Sequence, residues 1–264
     1  MSAVVIDASG REVLAMAADE VMPAASVIKL PLVMTLFLDA GEGRVDLDER
    51  VPIGTRVGGS GVLGHLPGVA EMSLRDLAAI TMSVSDNTAA NRLMDRVGID
   101  RVNEQLDEWG CHATRLRRAL FDLEAKARGL ENEMTARETA SLLGRVMAAA
   151  GGVPLGGVLQ LLEWNADRTR LGRYLPWQVS LAHKDGWLND PLPVDNDAGI
   201  VRATARPGDG SVPSARPYGV VAVGFTAGLD PLVARPLLGL LGRAAAEIAG
   251  AELGALPPEV VRTA

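Results

Sequence analysis

The order of hydrophobic patterns along this chain predicts a mixed α/β fold of the α+β type, in which helices flank an antiparallel sheet. Two short strand-like runs open the chain, helical patterns fill its middle, and three strand-like runs with a final helix close it. Because strands at both ends need partners, we expect one shared sheet with an all-helical block inserted between its two parts. The expected single domain, residues 1–264, then comprises a sheet subdomain (about 1–25 and 177–264) and a helical subdomain (about 26–176).

The amino-terminal part predicts a hairpin followed by a buried helix. The runs at residues 4–6 and 12–14 flank the turn-forming stretch Ala8-Ser9-Gly10, which is typical of a β-hairpin. Residues 26–40 are nearly all apolar, as expected for a helix surrounded by protein. Pro31 is compatible with this helix because it lies near the first turn, where a backbone N–H would have no partner.

Two capping-box patterns indicate further helix starts in the middle of the chain. They are Ser73-Leu74-Arg75-Asp76 and Thr135-Ala136-Arg137-Glu138. Each precedes a stretch with amphipathic spacing, so helices are expected to dominate this region.

After Pro176 the pattern changes from helices to strands. We expect strands at 178–187, 198–203 and 218–226, and a closing helix at about 231–250. The turn-forming sequences Asn189-Asp190-Pro191 and Pro207-Gly208-Asp209-Gly210 separate the three strands. A cleft between this sheet and the helical block is the expected place for a small-molecule substrate.

The charge of the chain excludes two classes of partner. Its 264 residues carry a formal net charge of −7, with a pI near 5.1. A nucleic acid or an anionic membrane surface would require a clustered basic surface, so we expect neither as a partner.

The sequence as given is expected to be cytoplasmic. Residues 1–7 lack the basic and apolar pattern of a secretory signal, and no run approaches the roughly twenty apolar residues of a membrane span. Cys111 is the one cysteine, which excludes an internal disulfide and is compatible with a reducing compartment.

Ser26-Val27-Ile28-Lys29 is the first candidate for chemistry. Residues three apart on a helix lie on one face, so the Lys29 amine can reach the Ser26 hydroxyl. The residues around Lys29 are apolar, and a desolvated lysine has a lowered pKa and can act as a base. The alternative interpretation is an ordinary helix start, with Ser26 as its N-cap and an exposed lysine.

Two later motifs favour the chemical interpretation of Ser26 and Lys29 over an ordinary helix start. Ser85-Asp86-Asn87 is expected on a loop between two helices, and Lys184-Asp185-Gly186 on the first strand after the helical block. Each also has a structural interpretation, since S-D-N is good turn and N-cap chemistry and a lysine can protect an edge strand.

Other patterns in the sequence give weaker indications of function. Residues 59–64 match the dinucleotide-binding pattern G-x-G-x-x-G, but Pro67 follows where that fold needs a helix, so we predict no nucleotide site. His65, His112 and His183 are scattered without Cys or His partners at ligand spacing. We therefore expect no metal site and no cofactor.

The three motifs, in this order, resemble the set of the class A β-lactamases and penicillin-binding proteins. Residues 82–91, 110–118, 161–165 and 170–176 are also similar to stretches of that family, and the resemblance covers about residues 3–250. It implies a class A β-lactamase-like fold and a serine hydrolase that forms an acyl-enzyme on Ser26. The implied substrate is a β-lactam or a related amide.

The resemblance also implies a role for each catalytic residue. Lys29 would be the base for acylation, and Ser85 would relay a proton to the leaving group. Lys184 would support Ser85 and attract an anionic group of the substrate.

Substrate contacts follow from the same resemblance. Asn87 would hydrogen-bond the acyl side chain of the substrate. Gly186 would allow close backbone approach, and the N–H groups of Ser26 and Trp187 would form the oxyanion hole.

The chain departs from the family at two places. Asp185 stands where the family has Thr or Ser, and its carboxylate would repel the carboxylate of a β-lactam, which favours an esterase or amidase for another metabolite. Residues 119–121 are Ala-Leu-Phe, with no glutamate at the family's deacylating position. Asp122 and Glu124 are candidates for a relocated base, although a surface carboxylate is the alternative for both. If neither serves, the protein is a penicillin-binding sensor that stays acylated.

Overall fold

The computed structural model describes residues 1–149, 152, 154–189, 191–203 and 219–256. Its strands are β1 (Ser2–Ile6), β2 (Glu12–Met16), β3 (Met22–Pro23), β4 (Arg50–Pro52), β5 (Glu71–Ser73), β6 (Glu133–Met134), β7 (Val179–Leu188), β8 (Val194–Ala203) and β9 (Val220–Ala227). Its α-helices are α1 (Lys29–Gly41), α2 (Leu74–Ser83), α3 (Asn87–Val97), α4 (Ile99–Glu108), α5 (Leu123–Ala127), α6 (Ala136–Ala148), α7 (Gly156–Glu163) and α8 (Pro231–Ile248).

The central sheet contains strands from both ends of the chain, as the sequence predicted. Its five strands have the order β2-β1-β9-β8-β7, and every neighbouring pair is antiparallel. β1 lies directly beside β9, with Val4 opposite Val223. All the helices from α1 to α7 lie between these strands in the sequence, so the expected mixed α/β architecture is confirmed.

The sheet separates two apolar cores because successive side chains of a strand point to opposite faces. Val4 belongs to the larger core, which the sheet shares with the helical block. Ala3 and Val5 belong to the smaller core, which is formed with α8. The sheet is thus covered on both faces, with α6 on one and α8 on the other.

The sequence placed the start of one strand too late. β8 starts at Val194 rather than at Ala198, because Asp195, Asn196 and Asp197 are strand residues and all three are buried. Aspartate and asparagine are rare in strands, so sequence pattern alone places them in a turn. Here they hydrogen-bond side chains and backbone of neighbouring elements, which offsets the cost of their burial. Asp190, residues 207–210 and Tyr218, which belong to the predicted turns and last strand, lie outside the described residues.

Both predicted capping boxes start helices, but the reciprocal hydrogen bond of a capping box is replaced at Glu138. Ser73 caps α2, and the hydroxyl of Thr135 accepts a hydrogen bond from the backbone N–H of Glu138 at the start of α6. The Glu138 carboxylate does not bind back to the cap, since it accepts the N–H groups of Ala113 and Thr114 instead. This carboxylate therefore ties α6 to the segment after α4.

The last helix begins where the sequence predicted. Asp230 caps it through the N–H of Leu232, and Pro231 occupies the first turn. Within the part of the chain that the structure describes, no helix combines the length and the apolarity needed to cross a membrane.

Candidate active site

Ser26 lies in a short 3-10 turn, Ala25–Ile28, immediately before α1. Neither this turn nor α1 is capped by a side chain, so the interpretation of Ser26 as an N-cap is wrong. Ala25 has a positive φ of 47°, an unusual value for a residue with a Cβ. The chain is thus bent sharply just before the serine, which lines a cavity of about 260 Å³.

Lys29 is completely buried, and four oxygen atoms surround its amine. Nζ lies 3.1 Å from Ser26 Oγ and 3.0 Å from Ser85 Oγ. It also lies 2.6 Å from the Ser85 carbonyl oxygen and 2.7 Å from Asn87 Oδ1. The alternative of a solvent-exposed lysine is therefore wrong.

The chemistry of these four oxygens fits a neutral amine. The Ser85 carbonyl and the Asn87 amide oxygen can only accept hydrogen bonds, and the Asn87 amide is oriented by donation from Nδ2 to the Gly58 carbonyl at 3.0 Å. Together they use both N–H bonds of a neutral amine. Its lone pair is then left for a hydroxyl proton, which Ser26 or Ser85 can provide.

Electrostatics also favour the neutral amine. Burial lowers the pKa of Lys29 well below its usual value of 10.5, and the ammonium of Lys184 lowers it further. The carboxylates of Asp185 and Asp86 act in the opposite direction, but they do not outweigh burial.

The segment between α2 and α3 presents Ser85 to Lys29. Ser85 has a positive φ of 57°, and this conformation lets its carbonyl and its hydroxyl both approach the same amine. Asp86, not Ser85, is the N-cap of α3. Its second carboxylate oxygen accepts the N–H groups of Val62 and Leu63. A single aspartate therefore fixes the helix start and the loop on the other side of the cavity.

Gly186 brings β7 against the serine turn. A Cβ at this position would stand 2.6 Å from the backbone nitrogen of Ser26 and 3.0 Å from that of Val27, so only glycine fits without movement. Trp187 follows it, lines the cavity and is 43% exposed. β7 is an edge strand of the sheet, so alternate N–H groups along it have no neighbouring strand to bind.

The structure places Lys184 on β7, completely buried, but turned toward its own neighbour. Its ammonium donates to the backbone carbonyl of Asp185 at 2.8 Å and to the Asp185 carboxylate at 3.0 Å. The expected support of Ser85 by Lys184 is therefore not a direct hydrogen bond here. Lys184 acts on Lys29 through its charge.

Asp185 is an internal counter-ion rather than a free charge in the cleft. Besides Lys184, it accepts hydrogen bonds from Asn165 at 3.0 Å and from Arg170 at 3.4 Å. Burial disfavours its ionisation, but Lys184, Asn165 and Arg170 together hold the pKa of this carboxyl below its usual range. The repulsion of an anionic substrate expected from the sequence is thus weakened, since two cations already compensate this charge.

Neither candidate for a relocated base lies at the cavity. Asp122 is the N-cap of α5, where its carboxylate accepts the N–H of Ala125 at 2.8 Å. The side chain of Glu124 is 87% exposed and forms an ion pair with Arg128. In this conformation the surface-carboxylate interpretation holds for Glu124, and Asp122 has a local structural role.

Leu120 occupies the wall of the cavity near Ser26, and sequence reasoning gave it no role. Asn91 holds its backbone, because the side-chain amide donates to the Leu120 carbonyl at 2.9 Å and accepts its N–H at 2.8 Å. Gly59 and Ser60, part of the rejected nucleotide pattern, line the same cavity. Positive φ values at Gly59 and Gly61 explain the glycines there, and the density of glycine was the signal that could have identified this loop.

Solved structures share this architecture. A β-lactamase from Sphaerobacter thermophilus DSM 20745 is 28% identical, with a TM-score of 0.80 over 97% of this chain and 92% of that one. A mutant of PBP-A, solved as its acyl-enzyme complex with penicillin G, is 26% identical, with a TM-score of 0.76 over 93% of this chain and 88% of that one. The fold is that of the class A β-lactamases.

Sequence relatives agree with the fold. A curated β-lactamase from Streptomyces fradiae is 33% identical over 215 residues, which is 75% of this chain and 67% of the relative. The family model described as the β-lactamase enzyme family matches residues 1–218. Fold and family together support a class A β-lactamase-like serine hydrolase. The chain belongs to the β-lactamase enzyme family, which confirms the resemblance inferred from the motifs.

Proposed function

We propose that this protein is a serine hydrolase that is acylated on Ser26 by a β-lactam or a related amide, and that it releases the acyl group slowly. The observation that carries the proposal is the 3.1 Å approach of Ser26 Oγ to the completely buried amine of Lys29. A buried amine whose two N–H bonds are already used is a suitable base for a serine hydroxyl.

Acylation uses the three side chains in sequence. Ser26 Oγ attacks the carbonyl carbon of the substrate, and its proton passes to Lys29 Nζ. The bond between the carbonyl carbon and the leaving nitrogen then breaks, while Ser85 Oγ gives its proton to that nitrogen and takes one back from Lys29. The 3.0 Å distance between Lys29 Nζ and Ser85 Oγ supports this return. The products are an ester on Ser26 and the free leaving group.

The negative charge that develops on the carbonyl oxygen would be stabilised by the backbone N–H groups of Ser26 and Trp187. The close approach required at Gly186 supports this assignment, because it brings the two backbone segments together. Asn87 lines the same cavity and would contact the acyl group.

Slow release follows from the wall that faces the ester. Leu120 lines the cavity, whereas Asp122 and Glu124 are engaged elsewhere. Water therefore has no carboxylate base beside Ser26 among these candidates. That a mutant of PBP-A was solved as an acyl-enzyme with penicillin G supports stable acylation on this fold.

A second candidate is an esterase or amidase for a substrate without a carboxylate. The pairing of Asp185 with both Lys184 and Arg170 favours it, because neither cation is left uncompensated for an anionic substrate.

Labelling with a serine-reactive fluorophosphonate tests the nucleophile. We expect one adduct by intact-protein mass spectrometry, located on the peptide that contains Ser26. Ser26→Ala should abolish the adduct, and Ser60→Ala, at a serine of the same cavity, should retain it. Persistent labelling of Ser26→Ala in a folded protein would refute the proposal.

A further inference from the structure

The ring of Phe121 lies against a glycine turn at the mouth of the cavity. A Cβ on Gly59 would stand 2.4 Å from one ring carbon of Phe121, and a Cβ on Gly58 would stand 3.4 Å from another. The ring therefore rests directly on this backbone. The loop before α5 therefore contacts the glycine turn across the cavity that Ser26 lines.

The position of this ring is fixed by its neighbours. Phe121 has a positive φ of 62°, a strained conformation for an aromatic residue. On one side, Asn91 holds both the N–H and the carbonyl of Leu120. On the other side, the carboxylate of Asp122 caps α5. Such strain persists only where the surroundings impose it, so the Phe121 ring is a rigid part of the cavity wall.

The wall around Phe121 is mostly apolar. Leu120, Leu123, Trp187 and Leu188 also line the cavity. Two charged residues of the lining, Arg118 and Glu131, pair with each other at 2.5 Å. A volume of about 260 Å³ exceeds the roughly 150 Å³ that suffices to hold a benzene ring.

We propose that Phe121 determines the acyl-group specificity of this enzyme, selecting substrates whose acyl group carries an aryl or alkyl substituent. The substituent would lie against the Phe121 ring while the carbonyl carbon meets Ser26. This inference rests on the proposed function, because it concerns the acyl group delivered to Ser26. Phe121 would contact the substrate without taking part in proton transfer.

The test compares p-nitrophenyl phenylacetate with p-nitrophenyl acetate. In each reaction the Ser26 Oγ–acyl bond forms, p-nitrophenolate leaves, and the serine proton goes to Lys29. Stopped-flow absorbance gives the acylation rate for both esters in the wild type and in Phe121→Ala. The intrinsic reactivity of each ester cancels when the phenylacetate-to-acetate ratio of the variant is divided by that of the wild type. We expect Phe121→Ala to lower the phenylacetate-to-acetate ratio about tenfold, with the acetate rate nearly unchanged.

Two further variants keep the test decisive. Leu232→Ala changes an exposed apolar side chain of α8 that does not line the cavity, and it should leave the ratio close to that of the wild type. Phe121→Leu removes the ring but keeps an apolar side chain, so it should lower the ratio by a smaller factor, about threefold, and it serves if the alanine variant does not fold. An unchanged ratio in both Phe121 variants, or an equal loss for both esters, would overturn the proposal.

The outcomes also separate this inference from the function on which it rests. A burst with both esters, a Ser26 adduct and no dependence on Phe121 would overturn the specificity role and leave the acyl-enzyme intact. No burst and no Ser26 adduct with either ester would contradict the proposed function, and the inference with it.

Discussion

Asp185 binds the ammonium of Lys184 twice, because its backbone carbonyl and its carboxylate each accept a hydrogen bond from it. The same carboxylate also receives Arg170. Asp185 thus stands between two buried cations, and its removal would free Lys184, because Arg170 also pairs with Asp167 and Asp195.

Replacing Asp185 should therefore change substrate preference. In Asp185→Thr, Lys184 loses its carboxylate partner and becomes available to a carboxylate on the substrate, whereas Arg170 keeps Asp167 and Asp195. A hydrogen bond to a charged group contributes roughly 1.5–3 kcal/mol, so acylation by a penicillin should improve about tenfold relative to acylation by p-nitrophenyl acetate. The rate of adduct formation on Ser26 measures both.

Asp167→Asn is the matched control for this prediction. Asp167 also binds Arg170, at 2.7 Å, but the hydrogen bonds of Lys184 go to Asp185. The control should keep the wild-type preference. An equal change of preference in the two variants would mean that the loss of negative charge near Arg170, and not the release of Lys184, causes the change.

The protein should accumulate its acyl-enzyme when mixed with a penicillin that it accepts. A positioned general base contributes about 10²- to 10⁴-fold. Leu120 carries no base, and Glu131, a carboxylate of the same lining, is paired with Arg118, so the second half-reaction should be slowed more than the first. We expect a stoichiometric burst of product followed by slow turnover, with the adduct visible by mass spectrometry. Rapid steady-state hydrolysis without a burst would contradict this expectation.

Leu120→Glu should convert accumulation into turnover. Leu120 is 9% exposed, lines the cavity with Ser26 and has a backbone held by Asn91, so a carboxylate there would face the ester from a fixed position. Deacylation should accelerate about 10²-fold or more, measured as the decay of the Ser26 adduct.

Three control variants accompany Leu120→Glu. Leu123→Glu, on the same lining but largely exposed, should give little acceleration. Asp122→Asn and Glu124→Gln should leave the decay rate of the wild type unchanged.

The buried amine of Lys29 should make folding stability depend on pH. Its pKa in the folded protein is lowered by burial and by Lys184, so between that value and 10.5 the unfolded chain binds a proton that the folded chain does not. In this window the free energy of unfolding should rise by about 1.4 kcal/mol for each pH unit.

Lys29→Met should remove that slope and raise the stability in the lower part of the window. Urea unfolding of both proteins at several pH values between 7 and 9 gives the comparison. Parallel stability curves for the two proteins would show that the buried amine keeps its ordinary affinity for protons.

Sequence reasoning was most successful where the signal was local. The hairpin, the helix after Ser26 and the strand that carries Lys184 follow from turn residues and hydrophobic periodicity, and the approach of Ser26 to Lys29 follows from their spacing on a helix. The pairing of both chain ends in one sheet was inferred from the order of elements alone.

The remaining features depend on contacts distant in sequence. Asp185 could not be assigned its partners, since Asn165 and Arg170 reach it from another segment. The polar start of β8 resembles a turn until the side chains that bind it are known. Phe121 adopts a conformation that its residue type disfavours, and only the surrounding hydrogen bonds and Gly59 make it intelligible.

The pairing of β1 with β9 has a consequence for the order in which the sheet and the cavity form during synthesis. β1 is synthesised well before β9, since Val4 and its partner Val223 are 219 residues apart, so the middle of the sheet cannot close until β9 has been translated. β7, which brings Gly186 and Lys184 to the serine turn, also arrives late. The wall of the cavity that Trp187 and Leu188 form beside Ser26 is therefore absent until β7 has been translated.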